Sequence, residues 1–562
     1  MGVQQPADVV FHNGLILGAA APDGAPVDVV AVTGNTITGA GGDAVLAAVG
    51  PNTHVVDLDG RTLVPGINDG HLHVGMYGRS LLPLSIDVSP AARPTVRSVR
   101  EAIADRVAEV EPGAWIRGHG WSGHALSDLP GAEPSAALLD EVSPVNPVAL
   151  TDFSGHAVWV NSAAMAAAGI TRQSVVPTGG LARRDGAGDF TGLFVDGARQ
   201  LIDHHVPPPT PAELEAAVRA AMAELHRNGV TSITDAALSP QSGYDNPLGS
   251  AAVYELLQRI CGRHDVPMRT NVLLTFSPVG SSLIDPTREG LVAWQRPETD
   301  ERWFAVRGLK IFADGVPPSC TAWMSAPYPD GSHGCLTVGG DTDDDRIEEL
   351  HLLIREGHDR GLQVGVHATG DRTADAVIDG FAAALAAVPR ADPRHYVIHG
   401  PMARPEVVQR AGALGVGFNV QPSLKSTSTR AIEALFGREL SEWQWPLRSM
   451  VDSGALVASS SDAPICAPNW RHGVASAVLR ETPDGEVYGA EQRLTVDETL
   501  RSYTEAGAWQ DAAEKWKGTI EVRKVADLCV VDARLSTDDP HTFADTAVSL
   551  TMVDGLVVHG EL

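Results

Sequence analysis

The sequence predicts an α/β fold: a (β/α)8 barrel of the TIM type, carrying an inserted α/β lid and a small β-sandwich domain built from both termini. Three observations carry that prediction. Eight short apolar runs, each followed by a helical pattern, recur through the chain and match the number of strands that closes such a barrel. Dipeptides suited to tight hairpin turns punctuate both ends, Asn13-Gly14, Gly34-Asn35 and Asp59-Gly60 near the start and Asp554-Gly555 near the finish. Roughly 150 residues separate the first run from the second, far beyond an ordinary loop.

The elements follow in order. Residues 1–65 alternate in short apolar stretches too few for a full sandwich, and the same grammar returns in Ala526 to Asp532 and Val548 to Val558. Because an exposed sheet face or edge is costly, the two ends are expected to form one domain from 1–65 and 506–562, the second piece also carrying the last barrel helix. The barrel is expected over 66–505. Its eight strands are read at Thr62 to His73, Thr231 to Asp235, Thr270 to Phe276, Val306 to Ala313, Gln363 to Thr369, Tyr396 to Gly400, Val416 to Gln421 and Leu456 to Asp462. The insert, about 80–225, holds strand-like Trp115 to Trp121 and Val148 to Asp152 and helix-like Asn161 to Ala168, and is followed by a helical stretch from Pro211 to His226.

Composition narrows the class of function. With 562 residues, 43% hydrophobic and 20% charged, the chain has material for a large core and is too apolar for disorder. Its net charge of −28 repels phosphate backbones and anionic lipid, so no nucleic-acid or membrane partner is expected and a small-molecule substrate is. Five scattered cysteines without a Cys-x-x-Cys pair signal neither a disulfide framework nor a thiolate zinc site. They suit a reducing compartment. The start, Met1-Gly2-Val3-Gln4-Gln5-Pro6, lacks the features of a signal peptide and no apolar run is long enough to span a bilayer, so a cytoplasmic location is expected. A homodimer is among the assemblies left open.

The polar residues that carry chemistry sit where the strands end. His71-Leu72-His73 closes the first, and strand alternation points both imidazoles to one face, where they can grip one metal ion; two partly exposed histidines are the plainer alternative. The company changes the balance. His367 ends the fifth strand, His399 the sixth and Asp462 the eighth, so all converge on the C-terminal mouth, where such barrels place catalysis. Lys310 lies in the otherwise apolar run Val306 to Phe312, and a lone buried ammonium there is costly. Carboxylation by carbon dioxide would turn it into an anionic carbamate able to bridge two ions; the alternative is a structural lysine paired with a carboxylate.

With these residues in place the sequence resembles the amidohydrolase superfamily, and within it amidohydrolase family 3, the branch that includes N-substituted formamide deformylases. The resemblance rests on Pro65-Gly66-Ile67-Asn68-Asp69-Gly70-His71-Leu72-His73, Gly308-Leu309-Lys310-Ile311-Phe312-Ala313-Asp314-Gly315, Val366-His367-Ala368-Thr369-Gly370-Asp371-Arg372, Ser461-Asp462-Ala463-Pro464 and Ala526-Asp527-Leu528. It implies a binuclear, zinc-type hydrolase in which His71 and His73 hold the more buried ion and His367 and His399 the outer one. Carboxylated Lys310 would bridge them, and Asp462 would ligate and shuttle protons. The insert motif from Asp152 to Asn161 also resembles this branch and implies that His156 reaches the site from the lid to stabilise an oxyanion; a structural histidine before an apolar helix is the alternative.

The reaction expected is hydrolysis of an amide-type carbon–nitrogen bond (N-acyl, N-formyl or carbamoyl) by hydroxide shared between the ions. The same centre could cleave an ester, a lactone or a cyclic amide, and a non-catalytic barrel scaffold is the reading from another class. Asp314 and Asp371 are read as helix caps or support, His204-His205 as a solvated linker, and the acidic run Asp341 to Asp345 as a helix start. Trp121, Trp159, Trp323, Met324 and Tyr328 are read mainly as core, with an apolar substrate pocket as the alternative.

Overall fold

The computed structural model describes residues 6–562 except 91, 124–125, 130–132, 153–156, 177–179, 242–249, 278–281 and 536–538. Eight parallel strands form one sheet: β1 Ile67–Leu72, β2 Val230–Leu238, β3 Arg269–Leu274, β4 Phe304–Phe312, β5 Gln363–Ala368, β6 Tyr396–His399, β7 Gly417–Val420 and β8 Val457–Ser459. Each pairs with the next in sequence, the arrangement that right-handed βα crossovers produce. Past the ends of β8 and β1 the backbone completes the circle, with Asp462 N–H donating to His71 O at 2.8 Å and His73 N–H to Ala463 O at 2.9 Å. The strands read as near-continuous apolar runs because both faces are covered, and Ala236, Leu273, Tyr396 and Ile398 cluster among them.

The first strand departs from the sequence reading. Thr62 to His73 is two strands, not one: Thr62–Pro65 pairs antiparallel with Leu528–Val531 in a five-stranded terminal sheet, and only Ile67–Leu72 joins the barrel. The break falls at Gly66, whose N–H donates to Asp527 O at 2.7 Å. A Cβ on Gly66 would lie 2.3 Å from Thr231 Oγ1, so the chain changes sheets through a gap only glycine fits. The terminal sheet therefore mixes strands from both ends of the chain, and a second, four-stranded sheet packs with it through Phe11, Val30, Leu63, Leu528 and Met552. The turns Asn13, Gly34, Asp59-Gly60 and Asp554-Gly555 all have positive φ, as their residue types predict.

The chain divides into two compact units, 1–74 with 222–562 and 75–221. The second has its own six-stranded sheet, containing Ile116–Trp121, Val148–Asp152 and Ala157–Val160, and its own core. Trp121 and Trp159 meet edge to face there at 5.9 Å, buried, with their indole N–H groups donating to Leu150 O and Ser135 O. Both are core, and the pocket alternative does not hold for them. Trp323, Met324 and Tyr328 are buried as well, the last two against Met402 and Ile432. Asp343–Asp359 is a helix whose cap Thr342 exchanges hydrogen bonds with Asp345, which accounts for the acidic run. Among the described residues no helix is long and apolar enough to cross a membrane.

Candidate metal centre

Strand alternation and register assemble the centre. His71 and His73 flank the end of β1, with ring centroids 5.1 Å apart. Pairing of β4 with β5 sets Phe312 beside His367, and pairing of β5 with β6 sets Ala368 beside His399. The His367 and His399 rings are 4.6 Å apart, and His399 lies 5.4 Å from His71. His399 and Asp462 both have positive φ, 73° and 58°, so the backbone leaves strand geometry at the residues that face the cluster.

Asp462 Oδ1 is 3.4 Å from Nε2 of both His71 and His73. Atoms bound to one tetrahedral ion at about 2.0–2.1 Å lie about 3.4 Å from one another, so the donor set fits a zinc-sized divalent ion. The three offer ligand atoms within 4.8 Å of one another, and all three are buried. Burial opposes ionisation of Asp462, but the two imidazoles against its carboxylate outweigh it and hold the carboxyl well below the usual range. Burial, with the Lys310 charge adding to it, pushes His71 down to about 3 and His367 to about 4, so both are neutral and have a lone pair to share.

Hydrogen bonds select which nitrogen each of the other two rings offers. His367 Nε2 lies 3.1 Å from Gly315 O, a carbonyl that only accepts, which leaves Nδ1 with the lone pair. His399 Nδ1 lies 2.6 Å from Gln421 Oε1, which leaves Nε2. Lys310, on β4, is 2% exposed, with Nζ 4.8 Å from the Phe312 ring centroid. Burial brings its amine down to about 7 against the opposing pull of Asp462. His156, the remaining predicted site residue, lies outside the described residues.

Several buried polar residues around the centre were not singled out from sequence. Asp235, on β2, accepts from Val74 N–H at 2.9 Å, and burial raises its carboxyl to about 6. Asp69 accepts from Ser461 N–H at 2.9 Å and from its hydroxyl at 2.5 Å, joining β1 to the end of β8. Asn419 and Gln421 alternate in the run Gly417-Phe418-Asn419-Val420-Gln421, and two amides on one face of an apolar strand are the signal that could have marked them. Asp314 gives support and does not cap the helix after its own strand: its carboxylate accepts from Gly370 N–H at 2.8 Å and Thr373 Oγ1 at 2.7 Å at the start of helix Asp371–Ala387, which follows β5.

Eight parallel strands with imidazoles and a carboxylate gathered at their C-terminal ends define a metal-dependent hydrolase of the barrel class. The chain belongs to the amidohydrolase family, whose model matches residues 54–559, and is accordingly a hydrolase of carbon–nitrogen bonds other than peptide bonds. It is 28% identical over 545 residues to an N-substituted formamide deformylase of Arthrobacter pascens, covering 94% of each chain. Among solved structures it resembles an uncharacterized metal-dependent hydrolase from Pyrococcus furiosus, with TM-score 0.68 and 21% identity over 93% of this chain and 98% of that one. It also shares its fold with the atrazine chlorohydrolase TrzN from Arthrobacter aurescens TC1 complexed with zinc, with TM-score 0.51 and 14% identity over 98% and 95% of the two chains.

Proposed function

We propose that the chain hydrolyses an N-acyl, N-formyl or carbamoyl group of a small molecule at a binuclear zinc centre. The observation that carries this reading is the spacing of Asp462 Oδ1, 3.4 Å from both His71 and His73, within a cluster completed by His367 and His399. Likeness along nearly the whole chain to a formamide deformylase supports the choice of bond. In this reading His71, His73 and Asp462 hold one ion and His367 and His399 the other. The ions, when bound, supply Lewis acidity that lowers the pKa of water and polarises a carbonyl.

The chain's own residues do the rest. Asp462, ionised at neutral pH, takes a proton from the attacking water and delivers it to the leaving nitrogen. Lys310, with its amine near neutrality, attacks carbon dioxide through Nζ and loses a proton, and the resulting carbamate would supply anionic oxygens to help hold the metal. His156 is proposed, on its motif, as the donor to the oxyanion. The test is metal content by elemental analysis together with turnover of a panel of formamides, N-acyl amines, carbamoyl compounds and esters. Chelation should abolish turnover and zinc restore it. Full activity with less than about a tenth of an equivalent of metal sinks the metal reading, and turnover confined to esters or lactones sinks the choice of bond.

A further inference from the structure

A chain of buried side-chain amides runs from β1 to His399. Gln510 Nε2 donates to Gly70 O at 2.8 Å, and Asn419 Nδ2 donates to Gln510 Oε1 at 2.8 Å. Gln421 Nε2 donates to Asn419 Oδ1 at 3.1 Å and to Ser460 Oγ at 2.8 Å, while Ser460 Oγ donates to Asn419 Oδ1 at 2.7 Å. The last link is the 2.6 Å contact of Gln421 Oε1 with His399 Nδ1. Asn419, Gln421 and Ser460 are fully buried and Gln510 is 3% exposed, so water does not compete.

The direction of every link follows from its far end. A backbone carbonyl only accepts, so Gly70 O turns the Gln510 amide nitrogen toward itself and the Gln510 oxygen toward Asn419. Asn419 must then present its nitrogen to Gln510 and its oxygen to Gln421. Gln421 meets that oxygen with its own nitrogen, which leaves its oxygen facing His399. Reversing any one amide would set two donors or two acceptors against each other in a dry interior. Gly70 is part of the arrangement, since a Cβ there would lie 2.6 Å from Asn419 Nδ2.

We infer that Gln421 is a positioning residue: it fixes His399 as the Nδ1–H tautomer and keeps the Nε2 lone pair turned to the His71–His367 side of the cluster. The use of that lone pair as a metal ligand rests on the proposed function; the tautomer does not. A carboxylate, carbonyl or amide behind a ligating imidazole is worth 10–100-fold in metal affinity.

The experiment reads the ring itself. In metal-free protein at alkaline pH, the 15N shifts of His399, assigned with a His399→Gln variant, should show a protonated Nδ1 and a bare Nε2. Gln421→Leu should give mixed tautomers and zinc binding weaker by 10–100-fold, whereas Gln421→Glu should retain the Nδ1–H form. Both variants lose the amide nitrogen and only Leu loses the acceptor, so general loosening of the network moves both alike. A wild-type ring protonated at Nε2 overturns the inference even if Gln421→Leu does not fold, and so does a Gln421→Leu ring still wholly in the Nδ1–H form. If the tautomer responds as expected but wild-type protein binds no zinc, the metal reading falls while the positioning role stands.

Discussion

Asp527, in the terminal motif Ala526-Asp527-Leu528, is expected to act on stability and not on chemistry. Its carboxylate accepts from Arg269 Nε at 2.6 Å and Nη2 at 2.9 Å, and from Asp554 N–H at 2.8 Å. Arg269 starts β3, is 1% exposed, and has its guanidinium 4.6 Å from the Trp303 ring centroid and 5.0 Å from that of Trp516. Asp527→Ala removes the two hydrogen bonds from Arg269, at about 1.5–3 kcal/mol each, and with them the acceptor of Asp554 N–H. It leaves the guanidinium buried with Asp554 Oδ1 at 2.9 Å and Arg302 O at 3.2 Å. Because Asp554 compensates in part, the expected loss is about 3–5 kcal/mol, the range for a buried pair stripped of one partner. Equilibrium urea denaturation followed by tryptophan fluorescence measures it, with Trp303 and Trp516 reporting on the clamp. The double variant Arg269→Met, Asp527→Leu should recover most of the loss, since it removes the stranded charge. A loss below about 1 kcal/mol for Asp527→Ala, or a double variant as weak as the two single losses added, would refute the argument.

Other outcomes follow from the same geometry. Asp462→Asn keeps an oxygen beside His71 and His73 but cannot accept a proton near neutral pH, so kcat should fall by roughly two to four orders of magnitude; near-normal kcat in metal-loaded variant would remove Asp462 from its role. Lys310→Ala should lose metal and activity, and formate, acetate or propionate with excess metal should restore part of the rate where matched chloride does not; two ions and full rate without added acid would make Lys310 structural. His395 accepts from Val364 N–H at 3.0 Å through Nδ1, its Nε2 lies 2.8 Å from His358 Nδ1, and His358 Nε2 lies 2.7 Å from Val388 O, a run that requires both rings neutral. Burial first, then His358, pushes His395 down to about 3. Below the unfolded value of about 6.5 the unfolded chain binds the proton and the folded one does not, so stability is complete above that pH and is lost on acidification toward 3. One such histidine contributes about 1.5 kcal/mol between pH 6.5 and 5; His395→Gln should lose that much less than the wild type over this interval in urea denaturation, and equal losses would exclude the proposed neutral pair.

The barrel, the terminal β domain and the candidate ligands were legible in the sequence because each is written locally. A strand announces itself by an apolar run, a hairpin by Asp-Gly, and a strand-end histidine by its place after that run. Identity with period two was enough to set His71 and His73 on one face, and family resemblance supplied the grouping of residues hundreds of positions apart. The tertiary structure alone decided what each polar group meets. Gly66 ends a strand because Thr231 fills the space its side chain would need, and Asp527 is a clamp because Arg269, 258 residues away, is buried against it. Trp121 and Trp159 are core because they close on each other. Gln421 acquires a direction from a carbonyl at Gly70 through two other amides. Local sequence carries propensity and periodicity, whereas the polarity of a buried hydrogen bond depends on which partner folding delivers, and in a dry interior that partner determines the state of the side chain.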